Sequence, residues 1–243
     1  MEKALIIGGS NGIGLAVAEK LKADHDIYIL DMVKPDPSIS EGIQYEPFDI
    51  TMEDFSILEK YLDVETLFIT VGFGKLALFK DIPEEMISKY FQVNTIGVIR
   101  VLKYFYTRLL SKEVFHCGVM VSIAGFMSSP FFSLYAATKA ALKIFIESIN
   151  VELEKDGTRN RVLNVSPGSI KGTRFNGGKN DLNQTGLLAK EIIDHMAAQD
   201  DLFIPRYEEV FKEVLRRYHE DFRKEGLHSY DYKRMKLENT SKQ

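Results

Sequence analysis

Short apolar runs that alternate with longer segments of helical period constrain this chain more than anything else in it. The runs fall at 3–7, 26–30, 43–48, 65–71, 119–122, 161–165 and 202–204. Several lack polar alternation, as expected of strands whose two faces are both covered. Helical period fills 12–23, 52–61, 83–110, 133–155 and 186–199, with a further segment at 208–223. This rhythm predicts βαβ units in an α/β fold, a doubly wound parallel sheet of about seven strands with helices on both faces. With 243 residues, 45% of them hydrophobic, the chain can bury the core of one such domain. Two stretches fall outside the pattern. Residues 172–185 are rich in Gly and Asn and predict a flexible loop over the substrate. Residues 226–243 predict a polar tail, either an arm on a neighbour or a frayed end.

The charge balance bounds the partners. Net charge is −4 and no lysine or arginine block stands apart from acids, so nucleic acid is not an expected partner. No apolar run reaches the length of a signal-peptide core or a membrane span, so the expectation is a cytoplasmic protein with no membrane partner. The single cysteine, Cys117, excludes an intrachain disulfide and a cysteine metal cluster, and reads as a small buried hydrophobe. His25, His116, His195, His219 and His228 show no spacing with acids that suggests a metal site, so none is expected.

The first run ends in Gly8-Gly9-Ser10-Asn11-Gly12-Ile13-Gly14. Glycines between a strand and a helix serve three purposes: Gly8 for a tight turn, Gly12 for backbone approach to a pyrophosphate, and Gly14 for close helix–sheet contact. The helix N-terminus adds free N–H groups for the phosphates. A glycine triplet alone also serves plain turn geometry. Asp31 narrows the choice, because it ends the second run where an acid meets a ribose 2′-hydroxyl and would repel a 2′-phosphate. No basic residue lies in the loop, although Lys34 is close to Asp31, so NAD is favoured over NADP.

Tyr135 and Lys139 are one helical turn apart and share a face. An ammonium there would lower the phenol pKa and suit Tyr135 to exchange a proton with a carbonyl oxygen. Ser122 ends the strand thirteen residues earlier, where ligands of open parallel sheets sit, and can hydrogen-bond the same oxygen. Tyr232 and Lys236 have the same spacing in the polar tail, with no strand or serine before them, and read as decoration.

With these motifs in view, the chain from residue 3 to about 206 resembles the compact, Rossmann-like short-chain dehydrogenase/reductase family. The glycine spacing, the serine ahead of YxxxK, and Asn164-Val165-Ser166-Pro167-Gly168 occur in the family's order. The resemblance implies an NAD(P)-dependent oxidoreductase acting on an alcohol or carbonyl. Tyr135 would be the acid/base, Lys139 would lower its pKa and hold the nicotinamide ribose, Ser122 would orient the substrate, and Asn94 would support a proton relay. Gly8, Ser10, Asn11, Gly12, Ile13, Gly14, Asp31, Asp49, Ile50, Gly72, Pro167, Gly168 and Ile170 would join Tyr135 and Lys139 in holding the cofactor. The chain departs from the family at Ile69-Thr70-Val71-Gly72, where Asn-Asn-Ala-Gly is usual, and at Thr173, which lies one place late.

Phe126, Met127, Phe131 and Phe132 either line an apolar substrate pocket or pack beneath the loop, while Arg174, Asn176 and Lys179 are placed to meet a polar or anionic substrate. A small molecule is the expected substrate, with a slight preference for a polyol or sugar derivative over a ketone or an acyl thioester as in a 3-oxoacyl reductase. A non-catalytic NAD-binding sensor or assembly protein is the other class of reading. The family's dimer and tetramer contacts, on helices corresponding to 83–110 and 133–155, imply a homo-oligomer.

Overall fold

The computed structural model describes residues 1–176 and 179–240, leaving aside the side chains of Asn176, Lys236, Asn239 and Thr240. Seven parallel strands form one sheet: β1 (Glu2–Ile7), β2 (His25–Asp31), β3 (Gln44–Pro47), β4 (Thr66–Ile69), β5 (His116–Met120), β6 (Val162–Val165) and β7 (Leu202–Phe203). Their order is β3-β2-β1-β4-β5-β6-β7. The helices are α1 (Gly12–Leu21), α2 (Glu85–Phe91), α3 (Gly97–Tyr104), α4 (Tyr106–Leu110), α5 (Ser133–Lys155), α6 (Leu182–Ala197), α7 (Lys212–Glu220) and α8 (Phe222–Thr240).

The unbroken apolar character of β1 follows from burial on both faces. Ala4 and Ile6 pack with Leu15 and Val17 of α1 and Leu188 and Ile192 of α6. Leu5 and Ile7 point the other way, into Val98 and Val101 of α3 and Leu142 and Ile146 of α5. Each of the larger of these side chains, such as Leu5, Ile6 and Ile7, contributes about 1.5–3 kcal/mol through burial. Chain order reverses between β1 and β4, and the crevice beyond their C-terminal ends is where a sheet of this topology holds a ligand. Cys117 lies in this core, and burial pushes its thiol pKa up.

Four expectations are corrected. The segment 52–61 forms only a 3₁₀ stretch, Ser56–Tyr61, because its buried residues Phe55, Leu58 and Tyr61 repeat every third position. The segment 83–110 is not one helix: a π turn, Gln92–Ile96, separates α2 from α3, and Phe105 separates α3 from α4. The loop expected over 172–185 ends at Asp181. That residue caps α6 by accepting from Asn183 N–H at 3.0 Å while Gln184 Nε2 donates back to it at 2.6 Å. Helical structure does not end at 223 but runs on through the tail, whose residues 226–240 make up most of α8. Gly226 does not stop the helix, because it is a contact glycine whose Cβ would fall 3.1 Å from Ser128 Oγ.

Candidate active site

Gly8 carries the chain out of β1 at φ +83°, and a Cβ there would lie 2.8 Å from the Val71 nitrogen. Both the dihedral and the space demand glycine. Gly14, in the first turn of α1, brings its backbone against the residue that follows β4, since a Cβ would fall 2.6 Å from Thr70 Oγ1. Thr70 Oγ1 in turn donates to the Gly8 carbonyl at 2.7 Å, joining the loop to β4 across the crevice. Asn11, ahead of α1, makes no side-chain cap to that helix, so the helix N-terminus looks outward. Gly12 N–H donates to Asn180 Oδ1 at 3.0 Å, and Asn180 Nδ2 donates to Asn11 Oδ1 at 3.1 Å.

Asp31 holds the loop from the other side. Its carboxylate accepts from Ser10 N–H at 3.0 Å and Val33 N–H at 3.2 Å. Ser10 itself is buried and does not reach the crevice. Asp49 is held by Thr51, whose N–H and hydroxyl donate to Oδ1 at 2.9 and 2.7 Å.

Ser122 stands two residues beyond β5, where its Oγ accepts from Ala124 N–H at 3.1 Å. Ile123 N–H donates to the Pro167 carbonyl at 3.0 Å, tying this turn to the end of β6. Tyr135 and Lys139 lie on the buried face of α5. Lys139 Nζ donates to the Met120 carbonyl at 2.8 Å and sits 5.8 Å from the centre of the Tyr135 ring. Burial pushes the Tyr135 pKa up to about 12, against which a hydrogen bond with Ser122 acts downward. Burial takes Lys139 down to about 7. Desolvation is thus the larger influence on the phenol, and it moves the two buried groups in opposite directions.

Asn94 lies in the π turn, fully buried behind the crevice rather than on its wall. Its amide group donates to the Phe73 carbonyl and Thr138 Oγ1, and its Oδ1 accepts from Phe73 N–H. Gly72 separates it from the lysine, since a Cβ there would be 3.3 Å from Lys139 Nζ and 3.4 Å from Asn94 Oδ1.

These parts open into one cavity of about 820 Å³. Of the residues expected to hold cofactor or react, all but Ser10 and Asn94 line it: the loop residues Gly8, Asn11, Gly12, Ile13 and Gly14, the acids Asp31 and Asp49 with Ile50, Gly72, the set Ser122, Tyr135 and Lys139, and Pro167, Gly168 and Ile170 beyond β6. The cavity fits an extended dinucleotide on a local observation. The Asn180 carboxamide oxygen already occupies the position of an acceptor at the Gly12 N–H, which is where a phosphate oxygen would sit.

A family model described as short chain dehydrogenase matches residues 2–184. The chain belongs to the short-chain dehydrogenase family. Among its curated relatives, an uncharacterized oxidoreductase, TDA5, of Saccharomyces cerevisiae is 27% identical over 72% of this chain and 57% of its own length. The dehydrogenase RED2 of Cochliobolus heterostrophus is 30% identical over 63% of this chain and 62% of its own length. The 3-oxoacyl-[acyl-carrier-protein] reductase MabA of Mycobacterium avium is 29% identical over 68% and 66%. The chain thus spans about three fifths of the length of the first two of these relatives. Among solved structures, a short chain dehydrogenase/reductase from Burkholderia phymatum in complex with NAD shares the fold at TM-score 0.75 and 18% identity, covering 90% of this chain and 93% of that one. An alcohol dehydrogenase from Thermococcus sibiricus complexed with 5-hydroxy-NADP does so at 0.68 and 20%, covering 84% and 95%.

This short-chain dehydrogenase meets its departures from the family pattern with local substitutes. The Thr70 hydroxyl supplies the bond to the glycine loop described above, where the usual asparagine is absent. Thr173 is buried over Gly12, whose Cβ would lie 3.5 Å from it, and its hydroxyl donates to the Ile170 carbonyl at 3.2 Å. Of Phe126, Met127, Phe131 and Phe132, only Phe132 lines the cavity; Phe131 packs on Tyr230 of α8. Arg174 lines it too, but its charge acts on Asp36, whose carboxyl is held low first by hydrogen bonds from Ser38 and then by this guanidinium. Lys179 is not on the wall, and the side chain of Asn176 lies outside the described residues. Tyr232 is corrected from decoration to cavity wall, together with Lys233 and Leu237 of α8, whereas the Lys236 side chain lies outside the described residues. No periodic signal in a polar tail marks these three, and none marks Asn180.

Proposed function

We propose that the protein is an NAD-dependent oxidoreductase that interconverts an alcohol and a carbonyl compound, with Tyr135 as its general acid and base. The observation that carries this reading is the meeting of Ser122, Tyr135 and Lys139 on the same cavity as the glycine loop. A bound nicotinamide would supply or accept the hydride. The N–H groups at the start of α1 would hold the pyrophosphate, Asp31 the adenosine ribose, Asp49 and Ile50 the adenine side, and Ile170, Pro167 and Gly168 the carboxamide side. Lys139 would reach the second ribose from its place beside Gly72.

In reduction Tyr135 would give its proton to the carbonyl oxygen, and in oxidation it would take the proton of the alcohol back. Ser122 holds that oxygen by a hydrogen bond. Burial suits Tyr135 to donation, because the phenol keeps its proton throughout the neutral range. Asn94 acts one layer back, fixing Phe73 and the helix turn that bears Thr138.

The wall near Tyr135 is made of Phe73, Leu76, Phe132 and Phe175, and the Phe175 ring packs at a tilt with its centre 5.3 Å from that of the tyrosine. Such a wall favours a substrate with an apolar body over the polyol expected from sequence, whose hydroxyls would find few partners there. Asp31 favours NAD over NADP by repulsion of a 2′-phosphate. A homo-oligomer is supported by Ile144 and Val151, 57% and 70% exposed and two turns apart on one face of α5.

The test is a titration with NADH and NADPH beside a turnover screen of aldehydes, ketones and alcohols, run on the wild type and Tyr135→Phe. Tighter NADH binding with turnover lost in the variant supports the reading. Binding without turnover on any probe would favour a non-catalytic NAD sensor, and turnover retained by Tyr135→Phe would remove the phenol from the mechanism.

A further inference from the structure

α8 lies beyond the residues that the family model matches, yet it closes the cavity. Gly226, Tyr230 and Lys233 recur at helical spacing and face the segment between Ser122 and Tyr135. Gly226 abuts Ser128, Tyr230 packs 4.8 Å from the Phe131 ring, and Lys233 Nζ donates to Ser129 Oγ at 2.6 Å and to the Pro130 carbonyl at 2.9 Å. Phe131 is held at φ +67°, a left-handed backbone that costs a non-glycine residue of order 1 kcal/mol or more, so the docking of α8 is over-determined at this point.

Lys233 is the unusual member of this contact. Its ammonium sits 5.5 Å from the centre of the Phe132 ring, which is itself 5.5 Å from the ring of Tyr135. The side chain lines the cavity, its hydrogen bonds go to neutral oxygens, and among the described residues no carboxylate offsets its charge. The acids on the cavity wall, Asp31 and Asp49, belong to the cofactor end. Two acceptors leave the ammonium a further N–H to give. Burial without a counter-charge lowers its pKa to about 8, so at neutral pH it is still mostly charged and would gain from an anion.

We propose that Lys233 is a specificity-determining residue that receives a substrate carboxylate, so that the protein acts on oxo or hydroxy acids whose carboxylate is separated from the reacting carbon by an apolar spacer. This rests on the reading of Ser122 and Tyr135 as the reacting end of the cavity. The aromatic wall between Tyr135 and Lys233 takes the spacer, and the position of the ammonium sets its length at about one aromatic ring. A lysine binds as a point charge, which suits a single carboxylate.

The probes are 4-formylbenzoate and its methyl ester, the first with the charge and the second without. With NADH as reductant, the wild type should show kcat/KM for the acid about tenfold or more above the ester. Lys233→Met should bring that ratio close to one by raising KM for the acid, and Lys233→Arg should keep it well above one. Binding is read separately, by calorimetric titration of benzoate and of phenylphosphonate into the protein with NADH present. Benzoate should bind the wild type and Tyr135→Phe alike and Lys233→Met at least about tenfold more weakly. Equal turnover of acid and ester by the wild type, or a ratio unchanged in Lys233→Met, overturns the proposal. So does a parallel loss on both probes in Lys233→Met and Lys233→Arg, which would mark the lysine as a strut for the Ser129–Pro130 turn. Phenylphosphonate binding well above benzoate would overturn the carboxylate in favour of a phosphate. Loss of all turnover with benzoate binding intact and Lys233-dependent would instead fault the catalytic reading and leave the anion site standing.

Discussion

The Asn180 carboxamide oxygen accepts a hydrogen bond from the Gly12 N–H at 3.0 Å, at the N-terminus of α1 where a dinucleotide phosphate would be held. The same amide gives a hydrogen to Asn11 Oδ1, so the end of the 172–181 loop is fastened to the glycine loop by two bonds. A phosphate held at this N-terminus would take the place of the Asn180 oxygen. Asn180→Ala, which removes the competitor, should tighten NADH binding by about three- to tenfold, measured by calorimetry. Weaker binding would show that the amide turns to hold the cofactor.

The two buried titrating groups set the pH dependence. Lys139 is charged below about 7 and neutral above, while Tyr135 keeps its proton up to about 12. Reduction uses both protonated forms. Its kcat/KM should be level in acid and fall as pH rises through about 7, whereas oxidation, which needs the phenol to accept a proton, should rise with pH. A reduction profile flat from pH 6 to 9 would deny Lys139 this role.

Burying Lys139 costs stability. Between about 7 and its ordinary 10.5 the unfolded chain binds a proton that the folded chain does not, so stability should climb with pH across that window, with the full penalty present below it. Lys139→Met should therefore raise stability at pH 7 by about 1–3 kcal/mol in denaturant melts, even after losing the bond to the Met120 carbonyl, while activity collapses. A destabilised variant would mean that the lost hydrogen bond dominates.

Asp31 should decide between the two cofactors. Asp31→Ser removes the carboxylate proposed to meet the ribose and should lower the NADH-over-NADPH preference by about tenfold or more. It also removes acceptors for Ser10 and Val33 N–H, so some loss of NADH affinity should accompany the change. An unaltered ratio would assign the choice to other residues.

The exposed apolar face of α5 predicts association. Light scattering should give a dimer or tetramer, and Ile144→Asp with Val151→Asp should shift it toward monomer. A monomeric wild type would remove the face from consideration.

Much of the site was legible before any coordinates. Gly8 and Gly14 could be singled out because they sit where a strand turns into a helix, although the neighbours that demand them, Val71 and Thr70, come from elsewhere in the chain, and Tyr135 and Lys139 because a spacing of four puts them on one face of α5. Strand and helix centres followed from periodicity, as with Ala4 and Ile6 on one face of β1 and Leu5 and Ile7 on the other. The start of α6 was readable too, since Asp181 and Gln184 form a local capping pair. Gly186 inside that helix drew the boundary four residues late, because a glycine within a helix looks like one kept for a turn.

What the sequence by itself determined is the order of βαβ units, the glycine turn between β1 and α1 and the pairing of Tyr135 with Lys139, all of them consequences of local geometry. Only the tertiary structure decided that Thr70 bonds to Gly8 from a strand distant in sequence, that Asn180 sits on Gly12, and that Lys233 of a polar helix faces the same cavity as Tyr135. The same holds for the ionisation of the pair: a spacing of four says that an ammonium is near a phenol, but the loss of water around both, which raises one pKa and lowers the other, exists only once the chain has closed over them.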